Sequence, residues 1–367
     1  MTRDLLSGLW RQRALPTLAP RDWELLLSQA RRCRLHARMA WWFDAQGWLQ
    51  DVPPGPRSHL ESARFNAERQ RNQVRWETDR IHAALAEVPT PVLLLKGAAY
   101  VAIDLPGARG RLFNDVDILV AREALAATEV SLLGAGWVAQ ELDPYDERYY
   151  RRWMHELPPL KHVWRHTWID VHHTITPPTS RFPVAGQRLL ERLQPLAPGS
   201  RLAVLDAPDM VLHSAAHLLQ EGDFSAGLRD LLDLDDLLRH FGTRPDFWPR
   251  LLDRAGELGL QVPLFHVLLQ VQRLFGTEPP AEMRARVDAL ARSPLSRHLM
   301  PALLAVALRP PHPSCDSPWT GVARTLLFVR SHWLRMPWYQ IVPHLLRKAW
   351  TRARTRFTRP PAEAAGP

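Results

Sequence analysis

The sequence contains few cysteines and very few lysines. Its two cysteines, Cys33 and Cys315, lie far apart in 367 residues, which excludes a disulfide framework and a cysteine-based metal site. This usage fits a reducing compartment, so we expect a cytoplasmic protein. Only three of the 47 basic residues are lysine, namely Lys96, Lys161 and Lys348. The position of each lysine is therefore informative.

Long hydrophobic runs are also absent. The most apolar candidate, Met300 to Leu308, is followed by Arg309 and two prolines. It is much shorter than the roughly 20 apolar residues that a membrane-spanning helix needs. The first residues lack the extended apolar core of a signal peptide. We therefore expect no transmembrane segment.

Positive charge is in excess, with a formal net charge of +9 and an isoelectric point near 10.3. This balance favours acidic partners such as nucleotides, nucleic acid or membrane surfaces. An arginine-rich codon usage also explains the high ratio of arginine to lysine. The chain ends in a basic, tryptophan-containing stretch that is also typical of a membrane-surface helix. Core packing with an arginine-rich outer face is the other interpretation. Weak membrane-surface or nucleic-acid contact through this basic tail stays an alternative.

One stretch combines apolar and charged residues in an informative order. An apolar run, Val92 to Leu95, is short enough for one buried strand and is followed by Lys96 and Gly97. A second apolar strand carries Asp115 and Asp117 at its start. Because side chains alternate along a strand, these two carboxylates share one face. Like charges this close repel each other, so the pattern favours a divalent cation beside them.

These residues resemble a known family. The run LLLKGAAY, then Arg111, then DVDILV is similar to the signature of the uncharacterised nucleotidyltransferase family, which belongs to the DNA polymerase β-type superfamily. The resemblance covers roughly residues 89–270. It implies a third carboxylate two positions before a histidine, which Asp170 and His172 match. It further implies that Asp115, Asp117 and Asp170 bind Mg²⁺ and that Asp170 accepts the proton from an acceptor hydroxyl.

The resemblance also implies two sets of substrate-binding residues. Those expected to bind the nucleotide are Lys96, Gly97, Ala98 and Arg111. Those expected near the acceptor or around the carboxylates are His172, His217, Arg229 and Asp230. For His217 a structural interpretation competes, in which His213 and His217 on one helix face make interhelical hydrogen bonds to Arg229 or Asp230. Lys96 has an ordinary alternative too, as an exposed lysine at the end of a strand.

The expected fold is α+β, with a small mixed sheet in a polymerase β-type nucleotidyltransferase core and largely α-helical N- and C-terminal regions. Four regions are expected: a helical N-terminal region (1–88), the nucleotidyltransferase core (89–180), a helical domain that covers the cleft (181–295) and a helical, basic C-terminal region (296–367). Within them, turn signals predict a hairpin over 160–175 and an irregular segment over 143–157. Apolar spacing predicts helices over 58–87, 207–220 and 227–241.

The sequence thus predicts a magnesium-dependent nucleotidyltransferase. It would move a nucleoside monophosphate from a nucleoside triphosphate to an unidentified hydroxyl on a small molecule, a protein or RNA. A catalytically inactive nucleotide- or partner-binding module is an alternative, because Ala98 stands where the superfamily often has serine. A third hypothesis is a peripheral membrane protein that binds through the basic tail.

Overall fold

The structure is a computed structural model, and it describes residues 2–140, 144–291, 293–337, 339 and 341. Most of the basic tail lies outside these residues. The predicted membrane-surface and nucleic-acid contacts of that tail therefore stay predictions. Among the helices of the described ranges, none is long and apolar enough to cross a bilayer.

Four helices precede the sheet: α1 (Leu5–Gln12), α2 (Pro20–Arg32), α3 (His36–Ala45) and α4 (Pro54–Ala84). The long helix predicted over 58–87 is confirmed, but it begins earlier, inside a proline-rich run. Proline is tolerated in the first turn of a helix, where its missing N–H has no partner to lose. The apolar stripe of α4 is sparse and buried, and consists of Leu60, Ala63, Ala67, Val74 and Ile81.

One mixed sheet forms the centre of the fold. Its strands are β1 (Val92–Leu94), β2 (Asp115–Leu119), β3 (Trp137–Ala139), β4 (Leu160–His162), β5 (Trp168–His172), β6 (Gln194–Pro195) and β7 (Leu202–Val204). Their order is β3-β4-β5-β2-β1-β7-β6. The central strand β2 pairs parallel with β5 and antiparallel with β1. The predicted hairpin is present as the antiparallel pair β4 and β5.

Between the strands, the described residues form the helices α5 (Lys96–Ala102), α6 (Leu125–Gly134), α7 (Pro144–Trp153) and α8 (Gly186–Leu190). The prediction of an irregular segment over 143–157 was wrong, because α7 occupies most of it. Its sequence is polar and aromatic and lacks regularly spaced aliphatic residues. Its Arg151 forms ion pairs with Glu147 one turn away and with Glu129 on α6.

In the described residues after the sheet, the helices are α9 (Ala207–Gln220), α10 (Gly227–Phe241), α11 (Phe247–Glu257), α12 (Gln261–Phe275), α13 (Arg284–Asp288), α14 (Pro294–Ala307) and α15 (Thr320–Arg335). The predicted helices over 207–220 and 227–241 are confirmed. Asp206 caps α9 by accepting a hydrogen bond from the N–H of Ala207 at 2.9 Å. Helices α9 to α12 pack on one another and bury a leucine-rich core. The chain is therefore a mixed α+β protein, as expected.

Candidate active site

Three carboxylates converge where β2 lies beside β5. The Cα of Asp117 is paired directly with that of Asp170, and Asp115 is paired with Trp168. Residues opposite each other in a parallel pair point to the same face, so all three carboxylates share one face. Val116, between the two aspartates of β2, is buried on the other face. The structure thus brings together Asp115, Asp117 and Asp170, whose role in metal binding stays a prediction.

Asp115 and Asp170 are crowded by other acidic groups. Burial, with the charges of Asp117 and Glu156, raises the pKa of Asp170 to about 7. Burial and the Asp117 charge also raise the pKa of Asp115. Within the described ranges, no hydrogen bond or ion pair engages either carboxylate. Both are therefore available to a ligand that enters the cleft.

Asp117 differs from its neighbours because it has partners. Its Oδ1 lies 3.0 Å from Nε2 of His172 and 3.8 Å from Nζ of Lys96. Burial alone would raise the pKa of Asp117, but Lys96 and His172 hold it well below its usual range. Among the three carboxylates, His172 therefore contacts Asp117. Lys96 is not the exposed strand-end lysine of the alternative interpretation, because only 17% of its side chain is exposed.

The backbone at the start of α5 is strained and tightly packed. Lys96 adopts a left-handed conformation with φ of 42°, which costs a non-glycine residue roughly 1–2 kcal/mol. A Cβ added at Gly97 would lie 3.0 Å from the ring of Phe113 and 3.1 Å from Nε of Arg111. Gly97 thus lets these side chains approach the turn. Ala98 is buried and does not line the cleft, in contrast to the other residues predicted to bind the nucleotide.

The segment that leads into β2 is held by the N-terminal helices. Arg38 of α3 donates a hydrogen bond to the carbonyl of Gly107 at 2.7 Å, and Gln70 of α4 accepts one from the N–H of Phe113 at 2.9 Å. Arg111 forms an ion pair with Asp233 of α10, to which Arg38 also lies close at 3.8 Å. The N-terminal helices therefore position one wall of the cleft.

Helices α9 and α10 form the opposite wall. The cleft has a volume of about 330 Å³, and Ser214, His217, Arg229 and Asp230 line it. The charge of Lys96, together with burial, lowers the pKa of His217 to about 4, so its ring is neutral at physiological pH.

The alternative interpretation of His213 and His217 was wrong in its partners. In the described part of the chain, neither histidine makes a hydrogen bond with Arg229 or Asp230. These two residues bind each other instead, since Nη2 of Arg229 lies 2.7 Å from Oδ1 of Asp230. His213 is buried, whereas His217 faces the cleft.

Several residues of the cleft were missed by the sequence reasoning. Tyr100 and Ser214 bond to each other through their hydroxyl groups at 2.9 Å. Tyr100 ends the run LLLKGAAY but was given no role there, and Ser214 belongs to no recognisable motif. His155 and Glu156 were missed because they fell in the segment predicted to be irregular. Pairing of that segment with β5 was not foreseeable from its own residues.

Comparison with known proteins identifies the family. The family model described as uncharacterised nucleotidyltransferase matches residues 19–276. This range includes α2 to α4, the whole sheet and α9 to α12, so it extends beyond the stretch that carries the motifs. Neither a search of curated proteins nor a search of solved structures found a match. The matched range exceeds half of the sequence and includes the paired aspartates, and the chain belongs to the uncharacterised nucleotidyltransferase family.

Proposed function

We propose that the protein is a magnesium-dependent nucleotidyltransferase that moves a nucleoside monophosphate from a nucleoside triphosphate to an acceptor hydroxyl and releases pyrophosphate. Membership of the family supports nucleotidyl transfer in general. The observation that carries the proposal is the direct pairing of Asp117 with Asp170, with Asp115 on the same face. Lys96 and Arg111 line the same cleft and offer cationic groups for phosphate.

The carboxylates fit Mg²⁺ in number and chemistry. Magnesium prefers oxygen ligands and is commonly bound through carboxylates and substrate phosphates. The raised pKa values of Asp115 and Asp170 reflect burial and like-charge crowding, which a cation would relieve. Asp115, Asp117 and Asp170 would hold the metal. When bound, magnesium supplies positive charge that stabilises the phosphate oxygens of the transition state.

The side chains of the cleft have separate roles in the proposed reaction. Asp170 would accept the proton of the acceptor hydroxyl. His172 and Lys96 keep Asp117 ionised. Lys96 and Arg111 would contact the triphosphate, whose charge would compete with Asp233 for the Arg111 guanidinium. Arg229 and Asp230 would line the acceptor side.

A polymerase β-type core is part of this proposal. It is supported by the mixed sheet, in which β2 carries Asp-x-Asp and lies between β1 and β5. The division into a core over 89–180 and a helical domain over 181–295 that covers the cleft is supported by the position of α9 and α10 at the wall. The acceptor would be a small molecule, a protein side chain or an RNA end.

Calorimetric titration with each nucleoside triphosphate, with and without Mg²⁺, tests the proposal beside a pyrophosphate-release assay in cell extract. We expect binding that is stronger with Mg²⁺, because the metal links the carboxylates to the phosphates. We also expect pyrophosphate release that requires an extract component. Binding without release in any extract would favour the inactive module, and the absence of both would contradict the proposal.

Magnesium affinity should depend on pH through Asp170. Its pKa is raised to about 7, so the carboxyl group is protonated below that pH and must lose its proton to bind a cation. One such proton weakens Mg²⁺ binding by about 10-fold at pH 6 relative to pH 8. Titrations at the two pH values measure this, with Asp170→Asn as the control that should bind weakly with a flatter profile. An unchanged pH dependence in that variant would contradict the assignment.

A further inference from the structure

A second cluster of ligand-type side chains lies beside the three aspartates. Just after α7, the chain runs antiparallel to the end of β5: the N–H of His173 donates to the carbonyl of His155, and that of Leu157 to Val171, each at 2.9 Å. Glu156 is thereby paired with His172. Residues opposite each other share a face, so the Glu156 carboxylate and the His172 imidazole meet at the cleft. The proposed transfer reaction makes no use of Glu156 or His155.

The spacing within this cluster is that of a metal site. Oε2 of Glu156 lies 3.3 Å from Nδ1 of His172 and 3.9 Å from Nε2 of His155, and one ligand atom from each residue falls within 4.8 Å of the others. Ligands about 2.0–2.1 Å from a tetrahedral zinc ion are about 3.4 Å apart. A small movement of the His155 side chain toward the other two residues would therefore bring all three ligand atoms to the spacing of a metal site.

The imidazole of His172 provides a second, independent observation. Its Nε2 lies 3.0 Å from a carboxylate oxygen of Asp117, and a carboxylate only accepts, so Nε2 carries a proton. Its Nδ1 is buried and makes no hydrogen bond in the described part of the chain. In the neutral ring, Nδ1 presents a lone pair toward the Glu156 carboxylate, which is unfavourable unless a cation lies between them. Histidines that bind metals commonly donate their other ring N–H to a carboxylate in this way.

We infer that His155, Glu156 and His172 bind a divalent transition-metal ion of the zinc class, separate from the magnesium ions assigned to the aspartates. Two imidazole nitrogens favour zinc and its neighbours over magnesium, which prefers oxygen. Three protein ligands leave a fourth position open, and all three residues line the cleft. The ion would fix the segment after α7 against β5 and, through His172, position Asp117.

A proton is the competing occupant. If Nδ1 of His172 is protonated, the imidazolium bridges Asp117 and Glu156, and no metal is needed to stabilise the cluster. The two occupants differ in what they require of His155. A proton shared between His172 and Glu156 does not involve His155, whereas the metal site needs its ring nitrogen. Variants of His155 therefore distinguish them.

The test is metal binding by the full-length, metal-free protein without nucleotide. Titration with Co²⁺, followed by its visible absorption, and calorimetric titration with Zn²⁺ should each show one site in the parent protein. His155→Ala and Glu156→Gln should each weaken Zn²⁺ binding by about 100-fold or more, because they remove a ligand rather than an outer partner. Circular dichroism checks that each variant folds, and Glu156→Gln preserves side-chain shape should His155→Ala fail to fold.

His217→Ala is the matched control, because His217 lines the same cleft from α9. Its Zn²⁺ affinity should stay within about 3-fold of the parent, since it supplies no ligand. Three results would overturn the inference: no Co²⁺ or Zn²⁺ site in the parent, unchanged affinity in the His155 and Glu156 variants, or loss of the site in the His217 variant. Since no nucleotide is present, each result is independent of whether the protein transfers nucleotides.

Discussion

Replacing Asp117 by asparagine is expected to reduce nucleotidyl transfer by at least about 10³-fold, the scale of losing a main electrostatic contribution to catalysis. Asparagine keeps the shape of the side chain but removes the charge that Lys96 and His172 hold in place. It also leaves one negative charge fewer on the face shared with Asp170. Incubation of each protein with nucleotides labelled at the α-phosphate and with cell extract measures the label transferred to the acceptor.

Asp79→Asn is the matched control for this experiment. Asp79 is exposed on α4 and belongs to no part of the cleft, so its loss should leave transfer within about 2-fold of the parent, as for an ordinary surface substitution. Both variants should retain the circular dichroism of the parent. Equal labelling by the Asp117 variant and the parent would rule out the proposed role of the carboxylates.

The second large effect is expected on stability, at the ion pair between Arg254 and Asp209. Nε and Nη2 of Arg254 lie 2.7 and 2.9 Å from the two oxygens of Asp209, and the side chains are only 4% and 1% exposed. Arg254→Met leaves a buried carboxylate without its partner, which lowers the free energy of unfolding by about 3–5 kcal/mol. Equilibrium urea denaturation, followed by circular dichroism, measures the change.

Two further variants separate this effect from ordinary loss of an arginine. Arg286 pairs with Asp253, but these side chains are 44% and 64% exposed, so Arg286→Met should cost less than about 1 kcal/mol. Replacing both buried partners, Arg254→Met with Asp209→Leu, should recover most of the loss, because no unpaired charge is then left inside. Similar decreases in the free energy of unfolding for Arg254→Met and Arg286→Met would show that burial does not increase the effect of breaking the pair.

The alternation of side chains explains why the sequence located the carboxylates. Asp115 and Asp117 had to share a face once their segment was a strand, and Asp170 stands in a second strand of the same pattern. The register that pairs Asp117 with Asp170 is set by how the two strands pack in the folded chain. Alternation within each strand determines which side chains share a face, but it does not determine which residues of the two strands are opposite each other.

Local signals also explain which helices were found. Helix α9 begins with Asp206 as cap and a proline in its first turn, and α10 has a regular leucine spacing. Helix α7 also begins with a proline, Pro144, but its polar and aromatic sequence has no regular leucine spacing. Its Arg151 reaches Glu129 of another helix, and such a contact between elements leaves no periodic trace in the segment itself.

Ion pairs between distant segments were the least predictable part of the cleft. Arg111 was predicted to contact phosphate, and the structure shows it bound to Asp233, more than a hundred positions away in the chain. Glu156 could be assigned to the cleft only after its pairing with His172 was known. The chain contains many charged residues, so composition alone does not distinguish the charged residues of the cleft from those that face solvent.

The hydrogen bonds that Arg38 and Gln70 make to Gly107 and Phe113 bear on how this domain can be engineered. A fragment trimmed to residues 89–276 would retain every aspartate of the cleft yet lose the scaffold behind one wall. Grafting the unit that carries the cleft onto another protein, or shortening it for crystallisation, therefore requires that α3 and α4 be kept with it. Fusion partners are better joined before α1 than between α4 and β1.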